Sequence, residues 1–329
     1  MRTIEVAADR RLVEVDHATP EPGPGQVRLD VAYCGICGSD LHFRDVPELF
    51  PAGTVPGHEL SGRIAVLGPE VDGWTVGDRV CVLPFAQCGE CELCRSGNEQ
   101  VCPHAVANGV GLGTGRPGAY ADAVIVDQRM LFALPDEVDD RAGALVEPLA
   151  VAVRAVAQAA VPVDQPVLVL GGGPIGLLTA LVLRERGYER AVLVSRNAAR
   201  ARLAESLGLR TAAADDVEPP VAVFECAGTP AAARQAVELL RPLGVVMLVG
   251  LSLEPLELPA PPVVINELQI RGVITYRRRE FAEAIELLAA RRIPADRVIT
   301  GTVPLSQAEE AFRTLTRPGH AHVKVLLAP

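Results

Sequence analysis

Aromatic side chains are scarce in this chain of 329 residues, at 4%. With seven Phe, four Tyr and one Trp, Val, Leu, Ile and Ala must fill the core. No uncharged apolar run reaches the roughly 18 residues of a membrane-spanning helix, so no span is expected. Positive charge is also short. The formal net charge of −10 argues against a nucleic-acid surface or an anionic membrane as partner. Met1-Arg2-Thr3-Ile4-Glu5 lacks the apolar centre of a signal peptide, so a cytoplasmic location is expected. In that compartment the eight cysteines are better explained by metal binding than by disulfides. There is no internal repeat and no low-complexity tail. The remaining composition, 49% hydrophobic and 22% charged, is that of a globular enzyme. The length implies about two domains.

Up to about residue 135 the chain reads as short strands between breakers. Thr19-Pro20-Glu21-Pro22-Gly23-Pro24-Gly25 cannot be helix. Gln26 to Val31 alternates polar and apolar residues, as a half-buried strand does. Ile64–Leu67, Arg79–Leu83 and Ala123–Val126 are further β-branched runs. Such a series suggests a barrel or sandwich.

Two clusters of possible metal ligands lie in this region. Cys37-Gly38-Ser39-Asp40-Leu41-His42 gathers a thiol, a hydroxyl, a carboxylate and an imidazole. Gly57-His58-Glu59 follows shortly after. Cys37, His58 and a glutamate form the mixed donor set of a catalytic zinc that keeps one position open. Ser39 and His42 are placed to carry protons away from it. Cys88, Cys91, Cys94 and Cys102 follow C-x2-C-x2-C-x7-C. That spacing points to a closed, structural zinc. An iron–sulfur cluster is the competing metal, although no Pro follows Cys94 and the last spacing departs from the ferredoxin runs.

A helix begins near Asp139 or Asp140, either of which can cap it. It carries Glu147 within the apolar run Leu145–Val153. That glutamate is either a solvated helix carboxylate, the remaining zinc ligand, or a partner that exchanges with Glu59. Beyond it, Pro166–Leu170 is a continuous apolar strand leading into Gly171-Gly172-Gly173-Pro174-Ile175-Gly176 and then an amphipathic helix. Strand, G-x-G-x-x-G and helix in that order mark a dinucleotide site. Gly171 allows the tight turn, Gly173 the approach of a pyrophosphate, and Gly176 close packing of helix on strand. The next strand ends in Ser195-Arg196-Asn197, with Arg200 beyond. An NAD site places an acid there for the ribose 2′-hydroxyl. Its absence, with Arg196 and Arg200 to attract a 2′-phosphate and Ser195 and Asn197 to donate to it, predicts NADP(H) over NAD(H). Further strands at Val221–Cys226, Val245–Val249 and Leu268–Tyr276 complete a doubly wound α/β pattern. The stretch 209–220 is too short for a full crossover helix.

Together these motifs resemble the zinc-dependent medium-chain dehydrogenases, nearest their polyol, butanediol and sorbitol branch. The resemblance covers nearly the whole chain. It implies a GroES-like β-barrel catalytic domain at 1–148 and 277–329, and a Rossmann dinucleotide-binding domain at 149–276. It implies catalytic zinc on Cys37 and His58, with Glu59 and Glu147 completing the shell, and Asp40 orienting the ligand histidine. It implies a proton relay from Ser39 to His42, and a structural zinc on Cys88, Cys91, Cys94 and Cys102. The expected activity is hydride transfer between a secondary alcohol or polyol and NADP(H) or NAD(H), in a homodimer or homotetramer. The alternatives are a zinc-free NADP-dependent enone or quinone reductase, and a non-catalytic nucleotide-binding zinc protein. Cys34, Cys81 and Cys226 read as small buried residues. Leu112 to Pro117 is a candidate pocket loop.

Overall fold

The computed structural model describes residues 1–113 and 115–329. Thr114, in the candidate pocket loop, lies outside them. The chain forms two compact units, one of residues 1–147 and 277–329, the other of residues 148–276.

In the first unit, β1 (Arg2–Val6) and β2 (Leu12–Asp16) form an antiparallel pair. The ten-residue β3 (Gln26–Gly35) buries Val27, Leu29 and Val31 on one face, as its alternation requires. β4 (Glu59–Leu67) runs antiparallel to it, followed by β5 (Arg79–Val82), β6 (Ala123–Asp127) and β7 (Leu131–Ala133). Aliphatic residues fill this core, with a few aromatics at its centre. Tyr120 and Phe312, both fully buried, meet edge to face at 6.1 Å between ring centroids.

The second unit is a parallel sheet. β8 (Val167–Leu170) is buried at all four positions, as a central parallel strand must be. β9 (Ala191–Val194), β10 (Ala222–Glu225), β11 (Val245–Leu248) and β12 (Gln269–Gly272) join it in the order β12-β11-β10-β8-β9. Beyond β9 there is one isolated parallel bridge, Leu193 to Thr211. The short 209–220 stretch holds only a 3₁₀ turn, Ala214–Asp216. A cavity of about 140 Å³, lined by Val167, Val192, Thr211 and Val217, opens there. It sits towards the amino ends of β8 and β9, away from the glycine turn at their carboxyl ends.

Back in the first unit, β13 (Ile299–Pro304) pairs with β14 (Lys324–Ala328), and β14 pairs with the end of β3. The helix expected near Asp139 is divided. Asp139 caps a short turn, Asp140–Gly143, and a separate helix, Val146–Ala159, carries Glu147.

Candidate metal centre and dinucleotide site

Cys37 ends the segment after β3, and the helix Gly38–Phe43 starts directly behind it. His58 and Glu59 open β4. The register that pairs β3 with β4 sets Gly35 opposite Glu59 and so brings the two motifs together. One donor atom each from Cys37, His58 and Glu59 lies within 4.8 Å of the others. His58 and Glu59 are buried; Cys37 is partly open. Glycines make the room. A Cβ on Gly35 would fall 2.0 Å from Glu59 Oε2, and one on Gly57 would fall 2.4 Å from the Tyr120 ring. Gly57 also has a φ of +102°, which favours glycine.

Asp40 is fully buried. Its Oδ2 accepts from Tyr120 Oη at 2.8 Å and from the Cys37 amide at 3.1 Å. Its Oδ1 and His58 Nδ1 face each other at 3.5 Å, and among the described residues neither has another hydrogen-bond partner. This buried pair fits a ligand histidine oriented from behind: Nδ1–H turns to the carboxylate and leaves Nε2 for an ion. Burial opposes charge on His58, but the Asp40 carboxylate and Cys37 outweigh it and hold the imidazole's pKa well above its ordinary value.

Glu59 has a partner that sequence reasoning missed. Lys324 Nζ donates to Glu59 Oε1 at 2.7 Å and Oε2 at 2.6 Å, and to the Ile36 carbonyl at 2.9 Å. Both side chains are 1% exposed. Removing one partner of such a buried pair typically costs about 3–5 kcal/mol. The overlooked signal was a solitary lysine in an apolar run, Val323-Lys324-Val325-Leu326-Leu327. Glu147 is buried at 6% exposure but is not in the three-residue donor set. Ser39 is half-buried and His42 exposed, on one face of the Gly38–Phe43 helix.

Cys88, Cys91, Cys94 and Cys102 converge in the same unit. The pairs Cys88–Cys94, Cys91–Cys102 and Cys88–Cys102 bring their sulfurs to 3.6–3.9 Å. This is the edge of a tetrahedron whose centre makes bonds of about 2.3 Å, and far beyond an S–S bond of about 2.05 Å. Backbone N–H groups of Glu90 and Cys91 pull Cys88 down to about 6, whereas burial pushes Cys94 up to about 12. Thiols so close ionise together only when a cation sits among them. The donor set therefore fits a tetrahedral metal. Cys34 and Cys81 are buried as expected, but Cys226 is only half-buried.

In the second unit the glycine turn joins β8 to the helix Pro174–Glu185. Gly171 has a φ of +115°. A Cβ on Gly176 would fall 1.8 Å from the Gly171 carbonyl oxygen, whereas one on Gly173 would meet nothing within 4 Å. Close packing at the third glycine and open space at the second are what a pyrophosphate at a helix N-terminus requires. A cavity of about 380 Å³ adjoins the turn, lined by Arg196, Ala231, Gln235 and Glu238 among others. Ser195 packs on Gly172, and Asn197 Oδ1 caps the following helix through the amides of Ala199 and Arg200. The Asn197 carbonyl is thus committed to the backbone. Arg200 is half-buried, which lowers its pKa.

The model for the alcohol dehydrogenase GroES-like domain matches residues 23–136, and that for the glucose dehydrogenase C-terminus matches residues 140–328. A sorbitol dehydrogenase from Halalkalibacterium halodurans is 33% identical over 346 aligned positions, covering 97% of this chain and 99% of its own. The chain belongs to the zinc-dependent medium-chain alcohol and polyol dehydrogenases. Solved members of this dehydrogenase fold agree along the full length. One is a Sinorhizobium meliloti protein described as a zinc-binding dehydrogenase and solved with NADP. It superposes with a TM-score of 0.90 at 28% identity and covers 100% of this chain and 99% of its own. Another is an alcohol dehydrogenase from E. coli solved with NADH, with a TM-score of 0.90 at 27% identity and the same coverage. The first unit is accordingly the GroES-like barrel and the second the Rossmann-type sheet. This dehydrogenase is an oxidoreductase acting on CH–OH donors. Among the described residues, no helix is long and apolar enough to cross a membrane.

Proposed function

We propose that this dehydrogenase interconverts a secondary alcohol or polyol and its ketone, using zinc and preferring NADP(H) to NAD(H). The observation that carries the zinc chemistry is the gathering of Cys37, His58 and Glu59 in front of the buried Asp40 carboxylate. Cys37 and His58 hold the catalytic ion, Glu59 is its third protein ligand, and Glu147 is a carboxylate in reserve. The zinc, when bound, polarises the substrate oxygen and eases loss of its proton. Ser39 Oγ accepts that proton as it hands its own hydroxyl proton on towards His42, which releases one to solvent. The step from a half-buried hydroxyl to an exposed imidazole supports an outward path. The nicotinamide exchanges hydride with the substrate carbon. Cys88, Cys91, Cys94 and Cys102 hold a second, structural zinc.

Ser39→Ala is expected to lower kcat at neutral pH by about 10² or more, with cofactor affinity unchanged. Stopped-flow turnover and fluorescence titration of the reduced nicotinamide check this. Unchanged turnover would remove Ser39 from the relay.

NADP preference is supported by the missing acid after β9 and by Arg196 and Arg200 in its place. The neighbours carry NADP in one case and NADH in the other. Substituting Arg196 and Arg200 together by Ala is expected to weaken NADPH binding by about 10²-fold and NADH binding far less. Equal losses for both cofactors would end the preference. The Rossmann-type unit also supports assembly of two copies. All four residues of its edge strand β12 are exposed, beside exposed Val264, Ile265 and Ile274. An exposed strand edge flanked by apolar residues pairs readily across a two-fold axis. Sedimentation of a Val264→Asp/Ile265→Asp variant as a monomer would support that edge as the contact.

A further inference from the structure

Lys324 is the one lysine among the 31 Lys and Arg residues of the chain; every other is arginine. It is also buried, at 1% exposure, where cationic side chains are rare. All three ammonium donors are used, two on Glu59 and one on the Ile36 carbonyl. Behind the donor set of Cys37, His58 and Glu59 lies the fully buried Asp40 carboxylate, 3.5 Å from His58.

The site thus gathers three anions, the Cys37 thiolate and the Glu59 and Asp40 carboxylates, and Lys324 is hydrogen-bonded to one of them, Glu59. Against a divalent cation, three anions leave one surplus negative charge in a buried place, where uncompensated charge is costly. We infer, resting on the zinc reading of this site, that Lys324 is a positioning residue for the metal centre. Its ammonium clamps Glu59 and absorbs the surplus charge, so that Glu59 is a displaceable ligand and one position of the metal yields to substrate. Without the ammonium, Glu59 keeps its full charge beside the cation and becomes a permanent ligand. The role differs from that of Asp40, which orients the histidine. Lys324 sets how firmly the carboxylate is held.

Cobalt(II)-loaded full-length protein tests this through metal behaviour rather than turnover. The four-thiolate site has its own intense charge-transfer bands, so the two metals are read apart. Lys324→Met should slow chelator-driven loss of the ion at Cys37 and His58 by about tenfold or more and alter its d–d bands. Lys324→Met combined with Glu59→Gln should abolish the slowing and release the ion at least as fast as the wild type. An unchanged rate and spectrum in Lys324→Met would overturn the inference.

If the single variant does not fold, the wild type still decides. Selective labelling of its only lysine gives one side-chain ammonium resonance. Metal loading should shift that resonance, and in Cys37→Ala it should stay put. A resonance indifferent to a metal that is demonstrably bound at Cys37 would sink the inference alone. A wild type holding metal only in the four-thiolate lobe would sink the zinc reading itself.

Discussion

Replacing Cys37 by alanine is expected to abolish turnover while leaving about one zinc per chain in place of about two. The thiolate is a soft donor at the open edge of the set formed with His58 and Glu59. Without it, the remaining imidazole and carboxylate hold zinc too weakly to survive dialysis. The fold has little reason to follow. Cys37 is only partly buried, the Lys324–Glu59 ion pair does not involve its side chain, and Asp40 keeps its bond from Tyr120. The cysteines at 88–102 contact one another and not this site. Elemental analysis with a melting curve checks all three statements. Loss of both metals would show that the two sites are coupled, and residual turnover would show that the thiol is no ligand. Acidification adds a check of sign. The Asp40 carboxylate and Cys37 hold the proton on His58 to a higher pH than usual. Zinc must displace that proton, so its uptake releases protons and weakens as the pH falls.

The glycine turn offers the second large effect, through two substitutions expected to behave differently. Gly176→Ala places a methyl group 1.8 Å from the Gly171 carbonyl oxygen, which is backbone and cannot swing aside. The helix Pro174–Glu185 must lift from β8, at a cost of about 1–3 kcal/mol or more, and dinucleotide binding should fail with it. Gly173→Ala meets nothing within 4 Å and keeps an extended backbone that alanine adopts, with φ −75°. Its folding cost should stay within about 1 kcal/mol, since only the helix cap changes. The added methyl does, however, occupy the space where a pyrophosphate would approach. Cofactor affinity should therefore fall in both variants, and stability in Gly176→Ala alone. Thermal melts paired with NADPH titration separate them. A Gly173→Ala protein that binds as well as wild type would show that the phosphates lie elsewhere.

Much of this site is written in short, contiguous motifs. Cys37 to His42, the pair His58 and Glu59, the cysteines at 88–102 and the glycines at 171–176 are close enough in sequence for chemistry to be read from spacing. The doubly wound sheet was legible for the same reason. A strand such as Val167–Leu170, apolar at every position and followed by the glycine turn and a helix, suits a central parallel place. The shortened 209–220 stretch was visible too, but its consequence was not. The structure puts the resulting cavity towards the amino ends of the strands and leaves the glycine turn intact.

The sequence alone determined the candidate metal ligands, the glycine turn and the order of strands and helices, because each depends on neighbours within a few positions. Tertiary structure decided what stands behind them. Lys324 reaches Glu59 across 265 residues, and Tyr120 reaches Asp40 across 80. Asn197 proved to spend its carbonyl on a helix cap. Strand register and the order in which β14 joins β3 set these partners, and such pairings are fixed by packing of the whole barrel rather than by any local pattern.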